Sequence, residues 1–150
     1  MGQKSIRRTI AEEGVGMLRH DNYHATISRI NEAREKGFYI ECVSLIEGLL
    51  ADRMESLANQ MDENNDHSHK TLGHLIKALC NCTPVGFDEV IVKIDKWREL
   101  RNTSIHELPK NLEPSFAVRY AELLSVADEG MALFREFDKL LSKYRASIKK

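Results

Sequence analysis

A chain of 150 residues with 42% hydrophobic and 30% charged residues has the composition of an ordinary globular protein, long enough for one domain whose core needs no covalent staples. Its formal net charge of −1 excludes a polycation drawn to nucleic acid by its overall field, so any such contact has to come from a local basic cluster. Three cysteines, no leader pattern and no apolar run of membrane-spanning length lead us to expect a reducing, cytoplasmic setting without a disulfide framework or a membrane segment.

Residues 1–16 are polar and read as a weakly ordered arm or a short helix. A first helix is expected from about His20 to Lys36, with Asp21 or Asn22 as N-cap and Gly37 as its stop. Its apolar face of Tyr23, Ile27, Ile30 and Ala33 is thin, so it should pack at the periphery. His20 and His24 have a spacing that could hold a metal, although a solvated pair is the plainer reading.

The second helix, 38–61, is expected to be central. Ile40, Val43, Ile46, Leu50, Met54 and Leu57 form its seam, widened by Leu45 and Leu49, and such girth suits a helix with several neighbours. Glu47 interrupts that seam; it either reaches water or pairs with Arg101, and Glu41 is a weaker candidate for the same role. Residues 62–70 form a polar loop, followed by a short helix over 71–81 with Leu72, Leu75, Ile76 and Leu79 inward. Thr83, Pro84, Val85 and Gly86 break the chain before a fourth helix, from Phe87 to about Ile105. The last helix should run from Ser115 to Tyr144 along a near-heptad seam of Phe116, Tyr120, Leu123, Ala127, Met131, Phe134, Phe137, Leu141 and Tyr144. Lys143, Arg145, Lys149 and Lys150 make a modest basic tail, read as solvated. The expectation is an all-α, up-and-down-type bundle of four to five helices over a single domain, 1–150.

No Gly-rich phosphate loop, serine elbow or zincin helix is present. His67, His69, His74, Cys80 and Cys82 could be weighed as a zinc set, but their spacing fits no familiar zinc module and we expect no metal or cofactor. Chemistry concentrates in Trp97-Arg98-Glu99-Leu100-Arg101-Asn102-Thr103-Ser104-Ile105-His106-Glu107-Leu108-Pro109. Phe87, Val90, Ile91, Ile94 and Trp97 mark one apolar face, and continuing it one heptad beyond Ile94 lands on Arg101. A guanidinium in a seam must be paired or held at a wet surface. At about 100° per residue, Asn102 and His106 share a face that Arg98 extends, whereas Arg101 and His106 diverge by about 140° if the helix stays regular. The latter two meet on one anion only if the helix ends between them or a second copy contributes. Pro109 makes an end near His106 reasonable.

Arg101-Asn102-Thr103-Ser104-Ile105-His106, an arginine and a polar residue followed by a histidine near the end of a helix in an all-helical chain, resembles the motif of the HEPN superfamily. The resemblance spans roughly residues 20–146 and extends to helix order and to the position before the last long helix. It implies a helical bundle that forms a homodimer with the two motifs facing each other. It also implies a metal-independent endoribonuclease acting on RNA, often a toxin or phage-defence effector with a cognate antitoxin or regulatory partner. In that reading His106 is the proton-transfer residue, Arg101 holds the scissile phosphate, Asn102 orients the imidazole or bonds a phosphate oxygen, and Arg98 and Glu47 support the site, with Lys96 a further phosphate contact. The alternative is a catalytically silent member that dimerises or binds a nucleotide or partner protein. There Arg101 pairs with Glu47, and His106 sits favourably at a helix C-terminus.

Overall fold

The computed structural model describes residues 16–110 and 113–149; the arm expected over residues 1–16 falls outside them except for Gly16. Five helices and no strands make up the described residues: α1 (Gly16–Glu35), α2 (Tyr39–Met61), α3 (Leu72–Leu79), α4 (Asp88–His106) and α5 (Phe116–Ile148). The protein is an all-α helical bundle. Among the described residues no helix is long and apolar enough to cross a membrane.

α1 begins four residues before the expected start, so Asp21 and Asn22 lie inside it and neither is an N-cap. Nothing between Gly16 and Asp21 breaks a helix, and Asn22 is absorbed as an ordinary turn residue whose carbonyl accepts from Thr26 Oγ1 at 2.7 Å. Gly37 does end the element, in the left-handed region at φ 78°. The Tyr120 hydroxyl clamps the turn that follows, donating to the Gly37 carbonyl at 2.6 Å and accepting from the Tyr39 amide at 3.1 Å. Thr71 caps α3 by accepting from the His74 amide at 3.2 Å.

α2, α5, α4 and α3 close a ring of neighbours, and α1 lies outside it against α2. The side-chain partners give each helix its direction. Arg19 meets Asp52 and Arg29 meets Glu41, so α1 and α2 are antiparallel. Phe87 meets Phe137, and Trp97 donates to the Val126 carbonyl, so α4 and α5 are antiparallel as well. Tyr39 with Tyr120, Arg53 with Asp138 and Met61 with Tyr144 place α5 parallel to α2. The loop after α2 doubles back along it, held by the Asn59 side chain on the His67 amide (2.8 Å) and by Glu55 on the His69 amide (3.3 Å). α3 therefore sets out parallel to α2 from a point part-way along it.

One contiguous core draws on all five helices, with Val43, Leu50, Met54, Leu57, Leu75, Ile94, Trp97 and Phe137 among its fully enclosed side chains. Two seam residues, Ile40 and Phe116, are exposed, because both stand in a first helical turn where the stripe runs past the neighbouring helices. The tightest contact joins α4 to α5. The Trp97 indole lies against Gly130, where a Cβ would come within 2.5 Å of the ring, and its Nε1 donates to Val126 O at 2.8 Å.

Candidate functional site

α3 has eight residues and spans only about 12 Å beside the roughly 35 Å of α2. Its first turn lies against α4 at Arg98, whose guanidinium carbon is 3.6 Å from a Cβ built at Gly73. From there α3 runs away from the His106 end of α4, so the wall it forms between α2 and α4 stops about one turn short of Arg101. Glu47 of α2 and Arg101 of α4 meet across that diagonal of the ring in an ion pair, each side chain 23% exposed. The pairing satisfies both charges where a shorter apolar side chain would leave a gap. Glu41 has no part in it, being bound to Arg29 at 2.7 Å.

The rest of the Arg101 fork is only partly used. Nη1 donates to the Asn102 amide oxygen at 2.6 Å, and Nε is buried without a hydrogen-bond partner. Burial pulls the guanidinium's pKa down, and an arginine nonetheless remains charged throughout the working pH range. Asn102 thus turns toward Arg101 and makes no hydrogen bond to His106.

α4 stays regular through His106, and the amide of the C-cap residue Glu107 bonds back to the Thr103 and Ile105 carbonyls. The expected divergence of about 140° between Arg101 and His106 therefore holds within one chain. His106 is exposed in the last turn, where the free carbonyls favour positive charge, and its ring has no hydrogen bond or ion pair among the described residues. Arg98, on the same stripe as Asn102 and His106, spends its fork on Asp95 at 2.9 and 3.1 Å; Lys96 is exposed. Arg119 of α5 donates to the Glu107 and Lys110 carbonyls and fixes the chain just beyond His106.

No protein-family model, curated protein or solved structure matches this chain. Its chemistry is argued from these side chains alone. The arrangement offers an oriented, solvent-reachable guanidinium and, on a different side of the same helix, a free imidazole.

The other candidates are spread out. His67 is buried and takes Asp62 at 2.9 Å, and its ring stands 5.9 Å from that of His74. Cys80 is exposed, while the Cys82 thiol donates to the Ala78 carbonyl. Among the described residues no three His, Cys, Asp or Glu side chains are gathered as a metal site. His20 and His24 contact each other edge-on, 4.3 Å between centroids, with both rings exposed. Sequence reasoning missed one feature altogether, a cleft between α1, α2 and α5 lined by Arg19, Arg53 and Arg145. Its arginines lie on three helices, and only the antiparallel and parallel packing just described brings them together.

Proposed function

We propose that this protein is a metal-independent endoribonuclease of HEPN type that works as a homodimer, with Arg101 and His106 of two chains around one phosphodiester. The observation that supports the reading is the Arg101 fork: a charge in a core-facing stripe, aimed by Glu47 and Asn102 yet partly open to solvent. A straight helix keeps His106 of the same chain out of its reach, so a shared site calls for a second copy. Exposed apolar side chains at the same end of the bundle suit such a contact: Phe38 and Ile40 of the α2 start, and Phe116 and Val118 of the α5 start.

In the reaction one imidazole takes the proton of the ribose 2′-hydroxyl, and the 2′-oxygen attacks phosphorus. The bond to the 5′-oxygen breaks, and the second chain's imidazole returns a proton to it. The guanidinium groups hold the non-bridging oxygens, whose charge grows in the transition state. The products are a 2′,3′-cyclic phosphate and a free 5′-hydroxyl. Such an enzyme fits a cytoplasmic toxin or antiviral effector held in check by a cognate partner protein.

Purified protein freed of any inhibitor should cleave RNA in the presence of chelator and leave cyclic phosphate ends. Arg101→Ala and His106→Ala should abolish cleavage without dissolving the dimer. A monomer by sedimentation, or intact structured and unstructured RNA with the wild type, overturns the reading. One observation favours a second reading, that of a silent dimerisation or partner-binding module: Glu47 neutralises Arg101. Under it, Glu47→Gln leaves every RNA result unchanged; under the nuclease reading the same substitution alters cleavage.

A further inference from the structure

At the far end of the bundle from His106, α1, α2 and α5 enclose an open cleft of about 380 Å³. Arg19, His20 and Tyr23 come from α1, Arg53 from α2, and Asp138 and Arg145 from α5. Two of the three arginines are committed. Arg19 bonds both oxygens of Asp52 at 3.1 Å, and Arg53 bonds Asp138 at 2.8 Å and Asp52 at 2.9 Å. Among the described residues Arg145 has no carboxylate within ion-pair distance, and its side-chain bond there is from Nη2 to the Ser56 hydroxyl, at 2.5 Å. Among the described residues, three guanidinium groups against two carboxylates leave one positive charge uncompensated in a recess.

That charge is costly where it stands. Arg145 is partly buried, and its pKa is lowered first by desolvation and then by the neighbouring Arg19 and Arg53, against weaker help from Asp138 and Asp52. An interior cation facing two more cations is stabilised by an anion that accepts from several forks at once. A carboxylate side chain serves that purpose for the other two arginines, and none of the described residues serves it for Arg145.

We infer that the Arg145 cleft is a binding site for a small organic phosphate. A phosphomonoester carries the dianionic, multi-acceptor head that converging guanidinium groups recognise, and the cleft, within the range of small-molecule sites, has room for an attached organic body beside His20 and Tyr23. The cleft shares no residue with Arg101 and His106, so its failure and the failure of the nuclease reading are separately visible.

The test is an NMR titration of the wild-type protein with ribose 5-phosphate, inorganic phosphate and ribose, reading the His20 ring resonances. Ribose 5-phosphate should shift them saturably, inorganic phosphate should do so at least about tenfold more weakly, and ribose should leave them in place. Arg145→Gln should weaken ribose 5-phosphate at least about tenfold. Arg145→Lys keeps the charge, loses the planar fork, and should fall between the two; it also carries the test if the glutamine variant does not fold. Absence of a saturable shift in the wild type, equal binding of inorganic phosphate, or unchanged affinity in both variants overturns the inference.

Discussion

Replacing Gly130 by alanine tests the packing that sets α4 on α5, and the structure gives both its sign and its size. A Cβ at that position would lie 2.5 Å from Trp97 Cζ2 and 2.6 Å from Cε2, inside any tolerable contact, and the obstacle is a rigid ring rather than the tip of a flexible chain. The indole must move out, which breaks its hydrogen bond to the Val126 carbonyl. Overpacking of this kind costs about 1–3 kcal/mol, and stranding the buried indole N–H adds about 1 kcal/mol or more. Alanine's better helix propensity returns about 1 kcal/mol. The net is a destabilisation of about 2 kcal/mol, or roughly 4–8 °C in Tm for a domain of this size. Gly48 is the internal control: it is exposed in the middle of α2, and a Cβ there meets nothing within 4 Å. The same substitution at Gly48 should stabilise by about 1 kcal/mol, since only propensity changes. Trp97 is the single tryptophan, so its emission reports the displacement directly, as a red shift in the Gly130→Ala protein and none in Gly48→Ala. Thermal unfolding by circular dichroism supplies the stabilities. Equal effects at the two positions, or an unshifted emission with an unchanged Tm in Gly130→Ala, would refute the reasoning.

The Glu47–Arg101 diagonal should show coupling: Arg101→Ala and Glu47→Ala each lose about 1–2 kcal/mol because each strands a half-buried charge, and the charge-swapped double variant should fold better than either single swap; strictly additive losses by denaturant titration count against the pair. Asp62 and Asp128 both lie below the ordinary aspartate range near about 3.9, Asp62 chiefly through its hydrogen bond from His67 and Asp128 through that from Arg34. A depressed folded pKa contributes stability above the unfolded value that is lost as pH falls through the folded one, so the bundle should weaken below about pH 4, and Asp128→Asn should flatten that acid limb in a stability-versus-pH series. Thiol labelling should take Cys80 first, Cys82 slowly and Cys42 only on unfolding, because burial raises the last two thiols and Cys42 is 1% exposed; mass spectrometry of timed samples gives the order.

Much of the bundle is written in spacing. The four-residue and three-residue intervals of Val43, Ile46, Leu50, Met54 and Leu57, and of Val90, Ile94 and Trp97, are enough to place those side chains in the core, where they are found. Arg101 and Glu47 were legible for the same reason, as charges in apolar stripes that each needed a partner. Spacing does not say where a stripe outruns its neighbours, which is why Ile40 and Phe116 are exposed. Nor does it decide between two partners in reach of one side chain: from its angle on α4, Asn102 could serve His106, yet it bonds the adjacent Arg101. The Trp97–Gly130 notch depends on a glycine whose value appears only when another helix lies across it. The direction of α3 depends on a loop whose backbone is held by Asn59 and Glu55, and no local propensity encodes that.

The shortness of α3 connects the fold to both proposed sites. Because the loop after α2 returns along it before α3 begins, a four-helix ring has only eight residues on one side. A full-length helix there would have closed the diagonal with apolar side chains and left no reason for an ion pair at Glu47 and Arg101. With that wall missing, the pair both fills the gap and remains in contact with water. Toward the other end α1 lies outside the ring, and its first turns bring Arg19 and His20 over Arg53 and Arg145. Charge therefore collects twice, once beside the missing wall and once under α1. Extending α3 at its N-terminus by a designed apolar turn should seal the Arg101 diagonal and leave the Arg145 cleft untouched. RNA cleavage lost in that variant, with ribose 5-phosphate binding retained, would show that the two ends act separately.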